Sequence, residues 1–134
     1  MKDINFTFAD SAEEGTIRRL LSESGLPHKD IANHLHHFML AKSGSNLIGV
    51  VGLEVLGELG LLRSLAIESS HRGKGIGRML YERILAYAHL KGLKELYLLT
   101  DTAEGFFRRL CLLTLRWSQT AGLRCTAMTV NKLQ

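Results

Sequence analysis

The sequence predicts a single α/β domain with a mixed sheet, and three observations support this fold class. The 134 residues match the size of one ordinary domain. Apolar residues make up 46% and charged residues 22%, a balance that excludes disordered and disulfide-dense classes. Short apolar strands separated by polar turns precede a glycine-rich loop that opens a helix. This order predicts antiparallel strands followed by a parallel unit of strand, helix and strand.

The N-terminal elements are predicted from alternation, capping and helical spacing. Residues Ile4 to Phe8 alternate between apolar and polar side chains, which is typical of a half-buried strand. Asp10 or Ser11 can cap a first helix over about Ala12 to Ser24. A second, short helix is predicted from His28 to His37, where apolar residues recur at helical spacing.

The middle of the chain predicts three antiparallel strands. The first two, Phe38 to Lys42 and Leu47 to Leu56, flank a small polar turn. A second turn at Gly57 to Gly60 leads into Leu61 to Ile67. The last two strands are apolar nearly throughout, so we expect the middle of the sheet to be covered on both faces.

The glycine-rich loop Arg72 to Gly77 opens a helix that ends at Gly92. The apolar face of this helix recurs at every fourth position, at Ile76, Leu80, Ile84 and Ala88. Bare backbone amides and the positive end of a helix dipole favour a phosphate group at such a loop. The loop lacks the Lys and Ser or Thr pair of a nucleoside triphosphate loop, and no early unit of strand, glycines and helix indicates a dinucleotide fold.

The sequence of the C-terminal third is compatible with two arrangements of helix and strand. Glu95 to Thr100 forms the next strand and a helix starts at Ala103. That helix either continues to Gly122 or gives way to a short strand from Leu112 to Trp117, which we slightly favour. A final strand is expected from Arg124 to Lys132.

Charge and hydropathy indicate which partners the chain should have. The net charge of +4 is small, and its basic residues cluster beside the glycines, which suits a compact anionic ligand better than nucleic acid. No apolar run approaches the roughly 18 residues of a membrane span, and the N-terminus is polar. We therefore expect a cytoplasmic protein with no nucleic-acid or membrane partner.

No metal site is expected from the Cys and His residues. Cys111 and Cys125 lack the spacing of zinc ligands and are interpreted as buried thiols. Of the clustered histidines, only His34 and His37 share a helix face, and no Cys, Asp or Glu at ligand spacing completes the set.

The glycine loop and the strand before it resemble a known family signature. Leu65-Ala-Ile67, followed by His71 and Arg72-Gly-Lys-Gly-Ile-Gly77, is similar to the acetyl-CoA motif of the GCN5-related N-acetyltransferases. The resemblance is strongest over Leu61 to Leu110. It implies one N-acetyltransferase domain over residues 1–134, with about six to seven strands, mostly antiparallel, and helices on both faces. A splayed parallel pair of strands would form the acetyl-CoA cleft.

The resemblance also implies which residues contact acetyl-CoA. The backbone of Leu65, Ala66 and Ile67 would bond to the pantetheine arm. The residues expected around the pyrophosphate are Arg72, Gly73, Lys74, Gly75, Ile76, Gly77 and Arg78. Phe106, Phe107 and Arg109 are expected beside the same ligand.

The implied activity is transfer of an acetyl group to the amine of a small molecule, an amino acid or analogue being favoured by similarity to the small amino-acid or arsenic-resistance type. Glu54, an acid inside an apolar strand, is the candidate general base, and its alternative role is structural. Phe107 stands where many members have a tyrosine acid. A non-catalytic acyl-CoA-binding module and a protein N-acetyltransferase therefore stay open, as does a homodimer. His34 or His37 could line the substrate cavity.

Overall fold

The computed structural model describes residues 3–26, 28–29, 31–100 and 124–129, of which 98–100 and 124–129 are described by their backbone. Its strands are β1 (Ile4–Phe8), β2 (Met39–Ser43), β3 (Asn46–Leu56), β4 (Leu59–Ile67), β5 (Glu95–Thr100) and β6 (Arg124–Thr129). Its helices are α1 (Glu14–Glu23) and α2 (Ile76–Leu90), with 3₁₀ helices at Ser11–Glu13, Ala32–His37 and Ser69–His71. The strands form one mixed sheet whose hydrogen-bonded order follows the sequence, as the predicted fold class requires.

Two compact units divide the chain. The first comprises Met1–Leu53 and Ser64–Ile84, and the second comprises Glu54–Arg63 and Leu85–Gln134. In the first unit β2 pairs antiparallel with β1 and with β3. The predicted polar turn between β2 and β3 is only two residues long, and its Gly44 has φ +64, a conformation that glycine adopts without strain.

The first helix begins later than its capping residue suggests. Asp10 and Glu13 form a capping box, but the turn they cap is a 3₁₀ helix, and α1 starts at Glu14. The helix buries Ile17, Leu20 and Leu21, which are the residues of the predicted apolar stripe.

The predicted helix from His28 to His37 is wrong in its first half. The structure has a 3₁₀ helix over Ala32–His37. The Arg18 guanidinium, held by Glu14 one turn earlier, donates to the backbone carbonyl of His28. His28 and Lys29 lie outside the helix, and the local spacing did not indicate this contact with α1.

The core of the first unit is built on β3. Six consecutive residues, Ile48 to Leu53, are buried, so both faces of this strand are covered as expected. Gly52 lies directly against the ring of Phe38, where a Cβ atom would be 2.5 Å from Cζ. The strand β4 is covered less completely than predicted, because half-buried residues separate its buried ones.

The second unit contains the parallel pairs. Leu59–Leu62 pair with Glu95–Leu98, and β5 pairs with β6 along its whole length. Among the described residues, β4 continues to Ile67 beyond its last parallel pair and β5 continues to Thr100. The helix α2 ends as predicted near Gly92, whose φ is +79. The amides of Gly92 and Leu93 donate to carbonyls of the last helical turn, those of His89 and Ala88.

Several predicted C-terminal features lie outside the described residues. They are the helix from Ala103, its continuation to Gly122, the alternative strand from Leu112 to Trp117, and residues 130–132 of the final strand. No helix in the described part of the chain is long and apolar enough to cross a membrane.

Candidate functional site

The end of β4 changes its backbone conformation at one residue. Ser64 has φ 61, in the left-handed region that costs a residue with a side chain about 1–2 kcal/mol. It stands two positions after Leu62, the last β4 residue paired with β5. Beyond it, Ala66 is buried while Leu65 and Ile67 are half-buried. These three residues are the ones predicted to contact a pantetheine arm.

The turn after β4 is fixed by Glu68. Its backbone N–H donates to the carbonyl of Ile48 on β3 at 2.8 Å. Its carboxylate accepts from the amide of Ser70 at 3.2 Å and from the Ser70 hydroxyl at 2.5 Å, and it lies 2.5 Å from Nδ1 of His71. Backbone and side chain together therefore order the short 3₁₀ helix that leads into the glycine loop.

These contacts predict how the turn responds to acid. The hydrogen bonds from the Ser70 hydroxyl, from His71 and from the Ser70 amide lower the pKa of Glu68 from 4.5 to about 2. Because the folded-state pKa lies below the unfolded one, the stabilisation is present above pH 4.5 and is lost as the pH falls toward 2.

The test compares wild type with Glu68→Gln by urea denaturation between pH 2 and pH 7. We expect wild type to be more stable by a constant margin at neutral pH, and the margin to shrink through the acid range. A margin that is independent of pH would show that ionisation of Glu68 does not support the turn.

The glycine loop has the backbone that its sequence predicts. Gly73 has φ +77 and Gly75 has φ +81, both in the region that favours glycine. A Cβ atom at either position would meet nothing within 4 Å. These glycines are therefore required by backbone conformation and leave open space beside the main chain, rather than making room for a neighbouring side chain.

The helix α2 presents its N-terminus directly after Gly75. The amide of Met79 donates to the carbonyl of Gly75 at 3.1 Å, which is the first hydrogen bond of the helix. The amides of Ile76, Gly77 and Arg78 precede it and therefore have no acceptor within the helix. We name the segment Gly73–Arg78 the anion cradle, because these amides and the positive helix end favour a negative charge.

The basic residues of the loop have different surroundings. Arg72 donates from Nε to the carbonyl of Ile67 at 3.0 Å, which links the loop back to the end of β4. Arg78 pairs through Nε with Glu82 at 2.9 Å on the exposed surface of α2. Such an exposed pair contributes about 0.5 kcal/mol or less, so an incoming phosphate can compete for Arg78. Lys74 is exposed.

Glu54, the candidate general base, forms an ion pair. Its Oε1 lies 2.5 Å from Nη1 of Arg63, and the two side chains are 17% and 15% exposed. Glu54 lies on β3 and Arg63 on β4, both within the second unit. The pair holds the carboxylate in one orientation, an arrangement that suits a positioned base and also a structural charge pair.

The histidines lie on the 3₁₀ helix Ala32–His37. His34 and His37 are half-buried and three residues apart, and the rings of His36 and His37 are 4.0 Å apart between centroids. In the part of the chain that the structure describes, no group of three or more His, Cys, Asp or Glu residues could hold a metal ion.

Several predicted site residues lie outside the described part of the chain. They are Phe106, Phe107 and Arg109 near the expected ligand, together with Cys111. The side chain of Cys125 is likewise not described, so the interpretation of both cysteines as buried thiols stays a prediction.

Sequence reasoning missed two features of this region. The hydrogen bonds from Ser70 to the Glu68 carboxylate had only a weak signal in the sequence, namely an acidic residue two positions before a serine at the end of a strand. The ion pair of Glu54 had a clearer signal in the sequence. Arg63 is a charged residue inside an otherwise apolar strand, as Glu54 itself is. Two opposite charges in neighbouring, largely apolar strands are expected to pair.

Comparison with known proteins agrees with this geometry. The model of the acetyltransferase (GNAT) family matches residues 5–111. A curated relative described as an uncharacterized N-acetyltransferase of Chlorobaculum tepidum is 34% identical over 83 residues, which cover 61% of this chain. The chain spans 53% of the length of that relative.

Solved structures share the fold. N-acetylglutamate synthase from Neisseria gonorrhoeae, complexed with coenzyme A and L-arginine, has a TM-score of 0.74 at 22% identity, over 81% of this chain and 27% of that one. Diaminobutyrate acetyltransferase from Paenibacillus lautus, in complex with L-2,4-diaminobutyric acid and coenzyme A, has a TM-score of 0.74 at 15% identity, over 89% and 78%. The family match, which extends from β1 through the anion cradle and β5, shows that this chain belongs to the acetyltransferase (GNAT) family.

Proposed function

We propose that this chain is an N-acetyltransferase domain that binds acetyl-CoA and transfers its acetyl group to the amine of a small molecule. The observation that carries the proposal is the anion cradle, in which two glycines with positive φ lead into the N-terminus of α2. Membership of the acetyltransferase family supports the activity. The two compact units would together make up the one domain that the sequence predicts.

The pyrophosphate of acetyl-CoA is the ligand group that suits the cradle. Its oxygens can accept from the amides of Ile76, Gly77 and Arg78, and Gly73 and Gly75 allow close approach of the main chain. Lys74 and Arg78 supply charge from the exposed side. A side chain at either glycine would occupy the space through which the phosphates approach.

The pantetheine arm is assigned to the end of β4. An extended amide chain can add to an exposed strand backbone through hydrogen bonds, as a further strand would. Arg72 already occupies the carbonyl of Ile67. We therefore assign the pantetheine hydrogen bonds chiefly to the backbone of Leu65 and Ala66, while the side chain of Ile67 packs toward Gly49 on β3.

Acetyl transfer needs a deprotonated amine and stabilisation of the charge that develops on the thioester oxygen. We assign the first role to Glu54, directly or through a water molecule, and the second to a backbone amide near Leu65. Arg63 would keep the Glu54 carboxylate oriented. Phe106, Phe107 and Arg109 stay predicted contacts of the ligand.

The acceptor is proposed to be an amino acid or a similar small amine. This choice is supported by the diaminobutyrate acetyltransferase with the same fold, whose structure contains a diamino acid as substrate. His34 and His37, on the short helix before β2, are candidates to line the acceptor side. A homodimer and a cytoplasmic location stay predictions from the sequence.

The test is titration calorimetry with acetyl-CoA, followed by thiol release in the same sample against a panel of amino acids and polyamines. Micromolar binding with amine-dependent thiol release is the expected result. Binding without release across the panel and with peptide amines would assign the chain as an acyl-CoA-binding module. Absence of binding by the folded protein would overturn the assignment of the cradle.

A further inference from the structure

Both ends of the glycine loop are anchored at the same point of β3. On one side, the amide of Glu68, directly after β4, donates to the carbonyl of Ile48. On the other side, the first two turns of α2 pack their buried residues Ile76 and Leu80 against the neighbouring residue, Gly49. The segment between these anchors contains the anion cradle.

Gly49 has little space around it. A Cβ atom built at this position would lie 3.0 Å from Cδ1 of Ile67, 3.1 Å from Cδ1 of Leu80 and 3.4 Å from Cγ2 of Ile76. Gly49 is buried and its φ lies outside the left-handed region, so backbone conformation does not require glycine here. What requires a small residue is the approach of α2 and the end of β4 to this strand.

We propose that Gly49 is a positioning residue for the anion cradle, since its missing side chain lets the end of β4 and the N-terminus of α2 meet on β3. The inference rests on the proposed function, because the cradle is where we place the pyrophosphate. It adds a residue outside the glycine loop that sets the loop's geometry.

The physical reason is close packing. Leu80 is fully buried, so a methyl group at position 49 has to be accommodated by shifts of a few tenths of an ångström in its two nearest neighbours, Ile67 and Leu80. Leu80 belongs to α2, and a shift of this helix moves the amides of the cradle. Hydrogen bonds to a phosphate weaken when several donors move together.

Two other glycines provide matched controls for Gly49→Ala. A Cβ atom at Gly52 would lie 2.5 Å from the ring of Phe38, so Gly52→Ala tests a loss of packing in the same strand away from the cradle. A Cβ atom at Gly15, on α1, would meet nothing within 4 Å, so Gly15→Ala tests the substitution itself.

The experiment measures CoA binding by calorimetry and thermal unfolding for wild type and the three variants. Gly49→Ala is expected to raise the Kd for CoA about five- to tenfold, with a smaller loss of Tm than Gly52→Ala shows. Gly52→Ala is expected to lower Tm and leave the Kd of the folded protein within about twofold. Gly15→Ala is expected to leave the Kd unchanged and to keep or slightly raise Tm, because alanine is the better helix former.

A second substitution tests the contact itself. Ile67→Val removes Cδ1, the atom nearest to the added methyl group. In the background of Gly49→Ala it is expected to restore part of the lost affinity relative to Ile67→Val alone, because the contact with Cδ1 of Leu80 at 3.1 Å remains. A Kd for Gly49→Ala equal to that of wild type, or the absence of rescue by Ile67→Val, would overturn the role of Gly49.

A measurement without ligand separates this inference from the proposed function. Amide hydrogen exchange of the apo protein over residues 73–80 is expected to be faster in Gly49→Ala than in wild type and slower again in the double variant. Wild type that fails to bind CoA would overturn the proposed function, whereas unchanged exchange in Gly49→Ala would overturn the positioning role.

Discussion

Gly75→Glu is expected to weaken the binding of acetyl-CoA at least a hundredfold. The substitution forces a side chain onto a residue with φ +81 and brings a negative charge to the residue directly before α2. A second anion about 4 Å from a phosphate oxygen costs about 4 kcal/mol at an effective dielectric of about 20, which is more than a factor of 100 in affinity. Calorimetry with acetyl-CoA measures the change directly.

Gly44 provides the matched control for backbone strain. It has φ +64 in the turn between β2 and β3, and a Cβ atom there also meets nothing within 4 Å. Gly44→Glu therefore has a similar conformational cost and the same added charge, at a different place. We expect similar losses of stability in the two variants, about 1–2 kcal/mol, and a loss of acetyl-CoA binding in Gly75→Glu alone. Equal affinities would contradict the phosphate assignment.

Gly77→Asp also tests the phosphate assignment, in a variant whose stability is expected to be kept or raised while its binding of acetyl-CoA weakens. Gly77 is the second residue of α2, where a carboxylate interacts favourably with the helix dipole and where glycine is a poor helix former. We expect this variant to be as stable as wild type or more stable by about 0.5 kcal/mol, and yet to bind acetyl-CoA much more weakly. A loss of affinity in a stabilised protein cannot come from unfolding.

The order of the strands and the position of the anion cradle were predictable because both depend on local signals. The antiparallel strands are defined by apolar residues, which alternate in β1 and are nearly continuous in β3 and β4, and by the Gly44 and Gly57 turns. The fourfold spacing from Ile76 defines α2. The cradle follows from glycines that stand directly before a helix. Each of these signals lies within a few residues of the feature that it predicts.

The features that were missed depend on contacts between distant parts of the chain. The second predicted helix begins only at Ala32, and the carbonyl of His28, at its predicted start, accepts from Arg18 on α1. The close approach of α2 to β3 depends on Gly49, which a sequence pattern records only as a small residue in a strand. Spacing along the chain cannot specify which residues meet across the sheet.

Glu54→Gln is expected to lower kcat by about 10² to 10⁴ while the KM for acetyl-CoA stays within about twofold. The amide has the size of the carboxylate and can still accept a hydrogen bond from Arg63, but it cannot take a proton from the amine. Steady-state kinetics of thiol release with the preferred amine measure both quantities. The dependence of kcat on pH should be reduced in the variant if Glu54 is the base.

A structural role for Glu54 predicts a different pattern. The Glu54 and Arg63 side chains are 17% and 15% exposed, so removing one charge breaks an ion pair that is largely shielded from water and costs about 1–3 kcal/mol of stability. A fall in kcat caused by this loss of stability would be repaired when the second charge is removed as well. The double variant Glu54→Gln, Arg63→Met therefore separates the two roles.

In the double variant the half-buried pair is replaced by a neutral amide and an apolar side chain, and stability is expected to return close to that of wild type. Catalysis is expected to stay low, because no carboxylate is present to accept the proton. Arg63→Met alone should retain a carboxylate with less fixed orientation, and its kcat should lie between those of wild type and Glu54→Gln. Recovery of kcat together with stability in the double variant would make Glu54 a structural partner of Arg63, and the base would then have to be another group or water.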